Sequence, residues 1–145
     1  MELQGTFMKL GVRNGNGHIY TSESLKTAFE DYQKKVADGN AFGTIIDVNH
    51  PSNAFDADRR LSEISHRVTE VKWNDDSNEI TGKIELYDTP NGKLAEKFLE
   101  VNGELDIAPS TIGELKEDGT VSVSEIISFD ICHESAFEEA KVKPL

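Results

Sequence analysis

The sequence is poor in cysteine, in basic residues and in long apolar runs, and each shortage excludes something. A single cysteine, Cys132, rules out an intramolecular disulfide and suits a reducing compartment. Lying in the apolar run "IISFDIC", it reads first as a small core hydrophobe. No apolar stretch approaches the roughly 20 residues that a membrane helix needs. The start "MELQGTFMKLG" has neither the basic stretch nor the apolar centre of a signal peptide, so export is not expected. Only 15 lysines and arginines stand against 27 acidic residues, a net charge of −12. Nucleic acid and anionic lipid would be repelled by such a surface, and the sequence shows no basic cluster to offset it. Basic or mixed-charge proteins are the better-matched partners. Metal-ligand spacings (HxxxH, HExxH, paired Cys/His) and phosphate-binding glycine motifs are also missing, so neither a metal nor a cofactor is expected.

What remains is a globular composition: 145 residues, 37% hydrophobic and 29% charged, enough for one domain with its own core. "LQGTFMKLGV" alternates as a strand and "RNGNGH" is a turn cluster. In "TSESLKTAFEDYQKKVADG" the residues Leu25, Ala28, Phe29, Tyr32 and Val36 share a helical face, with Thr21 or Ser22 as cap and Gly39 as stop. "FGTIIDV" is a short apolar strand running into the polar loop "NHPSNAFDADRR". "ISHRVTEVKW" and "EITGKIELYD" read as strands joined by "NDDSN". The segment "DTPNGKLAEKFLEVNG" reads as a second helix, capped by Thr89 with Pro90 in its first turn, and Leu94, Ala95, Phe98 and Val101 are expected to face inward. "ELDIAPSTIGELK" and "TVSVSEIISFDICH" are strands joined by "EDG", and the charged tail "ESAFEEAKVKPL" is expected helical or loose, an exposed segment a protease could cut. The order β–α–β–β–β–α–β–β predicts an α+β domain, a small mostly antiparallel sheet or barrel with flanking helices, over residues 1–134, followed by a C-terminal tail over 135–145.

Three positions carry chemical interest on their own. His50, in "VNHPS", stands just beyond an apolar strand and before the stiffening Pro51; it is either a general-base candidate or an ordinary loop histidine. His66, in "ISHRV", is either a hydrogen-bonded strand residue or part of a site. Asp130 interrupts "IISFDIC", where a carboxylate needs hydrogen bonds or a charged partner. Alternation puts Ser128, Asp130 and Cys132 on one face and Ile127, Phe129 and Ile131 on the other. Asp130 either belongs to a solvated face or orients a histidine.

Several stretches, taken in order over residues 7–135, resemble the prohead (procapsid maturation) serine proteases of tailed bacteriophages, especially the T-even-like branch. "NGHIYTSESLKTAFEDY" is similar to that family's N-G-R-I/V-Y-P start before a helix, and "VNHP" to its G-x-x-H-P. "ISHRVTEVKW" matches its I/V-S-H-x-I/V-T-E-I/V strand, and "GKIELYDTPNGKLAEKFLE" its segment ending in T-P-x-G-K. "LDIAPSTIGEL" stands for L-G-I/V-S-S/P-R-A/G-I/L-G, and "ISFDIC" for the late strand with its acidic residue.

The resemblance implies a herpesvirus-protease-like fold, a small β-barrel surrounded by helices. It also implies a serine endopeptidase that cleaves scaffold and major capsid proteins, with self-cleavage possible, inside the assembling prohead in the host cytoplasm. Oligomers are compatible with it. It places His50 at the catalytic histidine, Asp130 at the member orienting that histidine, and His66 in a supporting position. The nucleophile is the departure. Ungapped alignment puts Ala108 at the serine and Ser110 at the arginine, and an alanine has no atom that attacks a carbonyl. Three readings stand open: a serine-to-alanine change made to stop self-digestion, a naturally dead relative kept for assembly, or Ser110 serving instead. Ser110 would share the face of Ala108 but lie about 6–7 Å along a regular strand. A non-catalytic structural or scaffolding protein of the virus head that retains the protease fold is the alternative function.

Overall fold

A computed structural model describes residues 1–46 and 61–145. Its strands are β1 (Glu2–Lys9), β2 (Ile19–Tyr20), β3 (Phe42–Ile46), β4 (Ile64–Asn74), β5 (Glu79–Leu86), β6 (Leu105–Leu115), β7 (Thr120–Cys132) and β8 (Lys141–Pro144). Two helices, α1 (Ser22–Ala37) and α2 (Pro90–Asn102), follow β2 and β5. The strands pair in the order β7-β3-β4-β5-β1-β8-β6, and β6 pairs back onto β7, so seven strands close into a barrel with β2 attached to β7 outside the ring. Among the described residues six pairings are antiparallel, while β2–β7 and β3–β7 are parallel. Closure leaves the ring without a bare edge and encloses one core.

Phe7 of β1 and Phe129 of β7 meet inside the core with ring centroids 4.9 Å apart, and Tyr32 of α1 stands edge-on to Phe129 at 5.3 Å. Leu25, Ala28, Phe29 and Tyr32 are buried, as the helical stripe requires. The Thr21 hydroxyl accepts from the Ser24 amide at the start of α1, and Gly39, at φ +76°, turns the chain out after it.

Two expectations are corrected here. On α2 the buried residues are Gly92, Ala95 and Leu99, whereas Leu94, Phe98 and Val101 are exposed. Both stripes fit a helical period, and the sheet selects between them by close approach. A Cβ on Gly92 would collide with the Tyr87 carbonyl and come within 3.0 Å of the Ser65 carbonyl oxygen, so α2 presses its glycine face down. The tail is neither helical nor loose: its last residues form β8, which pairs with both β1 and β6. Phe137, Ala140 and Val142 are buried, so the segment set apart at 135–145 supplies part of the barrel core.

Candidate functional site

The site builds outward from the β6–β7 ladder. In an antiparallel pair, residues directly opposite share a face. The register sets Asp106 against Cys132, Ala108 against Asp130 and Ser110 against Ser128. Pro109 does not break the strand, because pairing runs unshifted from Asp106 to Ser110 and slips only after it. Ser110 therefore lies two residues along a regular strand from Ala108.

Asp130 is fully buried, and so is the residue on either side of it. The solvated-face reading is thereby excluded: both faces of this part of β7 are covered. One carboxylate oxygen accepts from the Thr44 amide at 3.0 Å and from the Ser128 hydroxyl at 2.7 Å; the other accepts a short hydrogen bond from the Ser110 hydroxyl. A carboxylate is tolerated in a core when donors replace its hydration, and here three strands provide them. Ser110 is itself 5% exposed and gives its proton to Asp130. That geometry disfavours Ser110 as a nucleophile, which needs an accessible oxygen facing a base.

Ala108 differs in being half-buried and open to a cleft of about 440 Å³, whose wall includes Asn14, Tyr20, Ile46, Cys132, His133 and Phe137. Tyr20 and Phe137 pack within that wall with their rings tilted by 51° and centroids 5.7 Å apart. Burial pushes the Tyr20 hydroxyl above its usual pKa, partly offset by a hydrogen bond with Thr111. Burial also pushes the Cys132 thiol up to about 12, helped by the negative charges of Asp106 and Asp130 and opposed by Lys141. Such a thiol stays protonated and is a packing residue. The Lys141 ammonium donates to Asp106 at 2.8 Å, which raises its own pKa.

His66 is fully buried on β4, with its ring over Gly43 of β3. Nε2 lies 2.8 Å from the Phe129 carbonyl oxygen and Nδ1 lies 2.7 Å from the Ser65 hydroxyl. A carbonyl oxygen only accepts, so Nε2 carries a proton and donates it; in the neutral ring Nδ1 then accepts from Ser65. The ring thus grips the backbone next to Asp130. His50 lies outside the described residues, as does the whole of the loop "NHPSNAFDADRR".

Pattern reasoning missed the Thr44 amide, which no side-chain motif could reveal, and the cleft wall contributed by Asn14, Tyr20 and His133. Alternation puts Ser128 on the face of Asp130, and the structure adds its hydroxyl as a donor to that carboxylate. Among the described residues no group of three or more His, Cys, Asp or Glu side chains is placed to hold a metal ion, and no helix is long and apolar enough to cross a membrane.

The seven-stranded barrel with two helices is a fold shared with a solved phage capsid assembly protease. One similar solved structure is that of the bacteriophage T4 capsid assembly protease, gp21. It superposes with a TM-score of 0.74 over 92% of this chain and 81% of that one, at 20% sequence identity. The likeness at that identity is one of fold. No protein-family model matches the sequence, and no curated protein does.

Proposed function

We propose that this chain is a phage prohead maturation serine endopeptidase, of the T-even-like and herpesvirus-protease-related type, silenced at its nucleophile position, Ala108. The observation that carries the reading is the placement of Ala108: it is exposed to a cleft, on a barrel with the T4 capsid assembly protease fold, and directly opposite a buried, hydrogen-bonded Asp130. In an active form a serine at 108 attacks the scissile carbonyl, His50 takes its proton, and Asp130 orients the imidazole. A carboxylate fixed from Thr44, Ser110 and Ser128 suits that orienting role. His66 acts as a brace, holding the Phe129 carbonyl beside Asp130. The substrates are scaffold and major capsid proteins, the chain itself is a further candidate, and the place of action is the prohead interior in the host cytoplasm. No cofactor takes part.

A second reading has its own support. The alanine at 108 and the engagement of Ser110 with Asp130 favour a non-catalytic head protein that keeps the protease fold. One experiment separates the two. Ala108→Ser protein is incubated alone and with scaffold and capsid proteins, and fragments are followed by mass spectrometry. Cleavage that appears with serine and vanishes with His50→Ala supports the silenced protease. A folded Ala108→Ser protein that cuts none of these substrates supports the structural one.

A further inference from the structure

The rotation of α2 that buries Gly92, Ala95 and Leu99 leaves a second apolar stripe facing outward. Leu94 is 44% exposed, Phe98 47% and Val101 83%. Spaced i, i+4, i+7, they line one face over two turns, the pattern by which one amphipathic helix receives another. Large apolar side chains so grouped on one element mark an interaction surface more often than single scattered ones. Next to the stripe, on its solvent side, stand the exposed Lys97 and, one turn earlier, Lys93, which also pairs with Asp88 at 3.4 Å. Glu100 lies further round the helix, and on the other side the stripe meets uncharged Asn91 and Asn102.

This small cationic border stands on a helix whose own charges balance, Lys93 and Lys97 against Glu96 and Glu100, in a chain of net charge −12. It also discriminates between occupants. Two copies packed antiparallel on this stripe would bring Lys97 against its own counterpart, and each copy would carry −12 into the contact. Like charges across a helix pair disfavour it. A helix with apolar side chains flanked by carboxylates meets no such cost and pairs with both lysines.

We propose that the outer face of α2, formed by Leu94, Phe98 and Val101 beside Lys93 and Lys97, docks an acidic amphipathic helix of another protein. The inference stands apart from the Ala108 cleft and does not depend on any proteolytic activity.

The test uses the full chain and two dye-labelled three-heptad peptides, with leucine at a and d, alanine at b, c and f, and either glutamate or lysine at e and g. Fluorescence anisotropy is expected to show binding of the glutamate peptide. Phe98→Ser weakens it at least tenfold and Lys93→Glu/Lys97→Glu at least as much, while thermal melting of each variant stays near that of the parent because the side chains are exposed. Lysine-peptide binding, drawn by the acidic surface at large, is expected to be indifferent to Phe98→Ser. The proposal is overturned if the glutamate peptide fails to bind or binds the variants equally well. It is also overturned if the lysine peptide is the one that loses affinity on Phe98→Ser. Sedimentation revealing a dimer that Phe98→Ser dissolves would make a second copy the occupant, and that too overturns it.

Discussion

Replacing Asp130 by alanine tests whether hydrogen bonding, rather than charge, holds the buried carboxylate in place. The substitution strands the Thr44 amide and the Ser110 and Ser128 hydroxyls, all in the interior. A buried donor left without an acceptor costs about 1–3 kcal/mol. The amide is fixed by the backbone and bears the upper part of that range, whereas each hydroxyl rotates and bears the lower, giving a loss of about 4–5 kcal/mol. Relief of the carboxylate's own desolvation works the other way, so a net loss of about 3–4 kcal/mol is expected, a large part of the roughly 5–15 kcal/mol that a domain possesses. Asparagine keeps the shape and one carbonyl oxygen for Thr44 and Ser128, and lets Ser110 turn from donor to acceptor. Asp130→Asn should therefore cost about 1–2 kcal/mol. Urea unfolding, followed by circular dichroism at constant slope, measures both. An alanine variant within 1 kcal/mol of the parent would refute the network account. An asparagine variant as damaged as alanine would also refute it, because charge would then be what matters.

Three further outcomes follow from the packing. Gly43→Ala should cost more than about 2 kcal/mol, because its Cβ would fall on the His66 ring and 2.8 Å from the Phe129 carbonyl oxygen; the double variant with His66→Ala should be less than additive in the same urea assay, and simple additivity would argue against the clash. Deleting residues 137–145 removes β8 and the buried Phe137, Ala140 and Val142, reopening the gap between β1 and β6; near-ultraviolet circular dichroism should lose its cooperative transition, and a truncated chain melting like the parent would contradict the closed barrel. Cys132 should resist Ellman's reagent at pH 8 in the native state, where about one thiol in 10⁴ is ionised, and react at once in urea. Its raised pKa also fixes a sign. Above pH 9 the unfolded thiol loses its proton while the folded one keeps it until about 12, so stability falls as pH rises through that window, and Cys132→Ser should flatten the slope.

How far the sequence reaches is visible on the two helices. On α1 the only apolar stripe is the buried one, so period alone orients it. On α2 two stripes share the period, and the choice falls to Gly92, which approaches the Tyr87 and Ser65 carbonyls where no Cβ fits. That constraint belongs to the sheet and is invisible in a helical wheel. The tail misleads for a related reason. Within β8 only Lys141 and Lys143 are charged, and Val142 between them is the one buried residue of a strand too short to display alternation.

The site divides along the same line. Alternation in "LDIAPSTIG" and "IISFDIC" correctly sets Ala108, Ser110, Ser128 and Asp130 on paired faces, because a period of two is a local property. What alternation cannot supply is depth. Ala108 and Ser110 share a face, yet one opens to the cleft and the other is sealed against Asp130. Position along the strand thus decides which of two equivalent-looking residues lines the cleft. On that geometry a side chain at 108 faces the cleft and the serine already at 110 does not. The proposed protease reading therefore calls for serine at the first position, and Ser110→Ala should leave any activity of Ala108→Ser measurable so long as the weakened Asp130 network still folds.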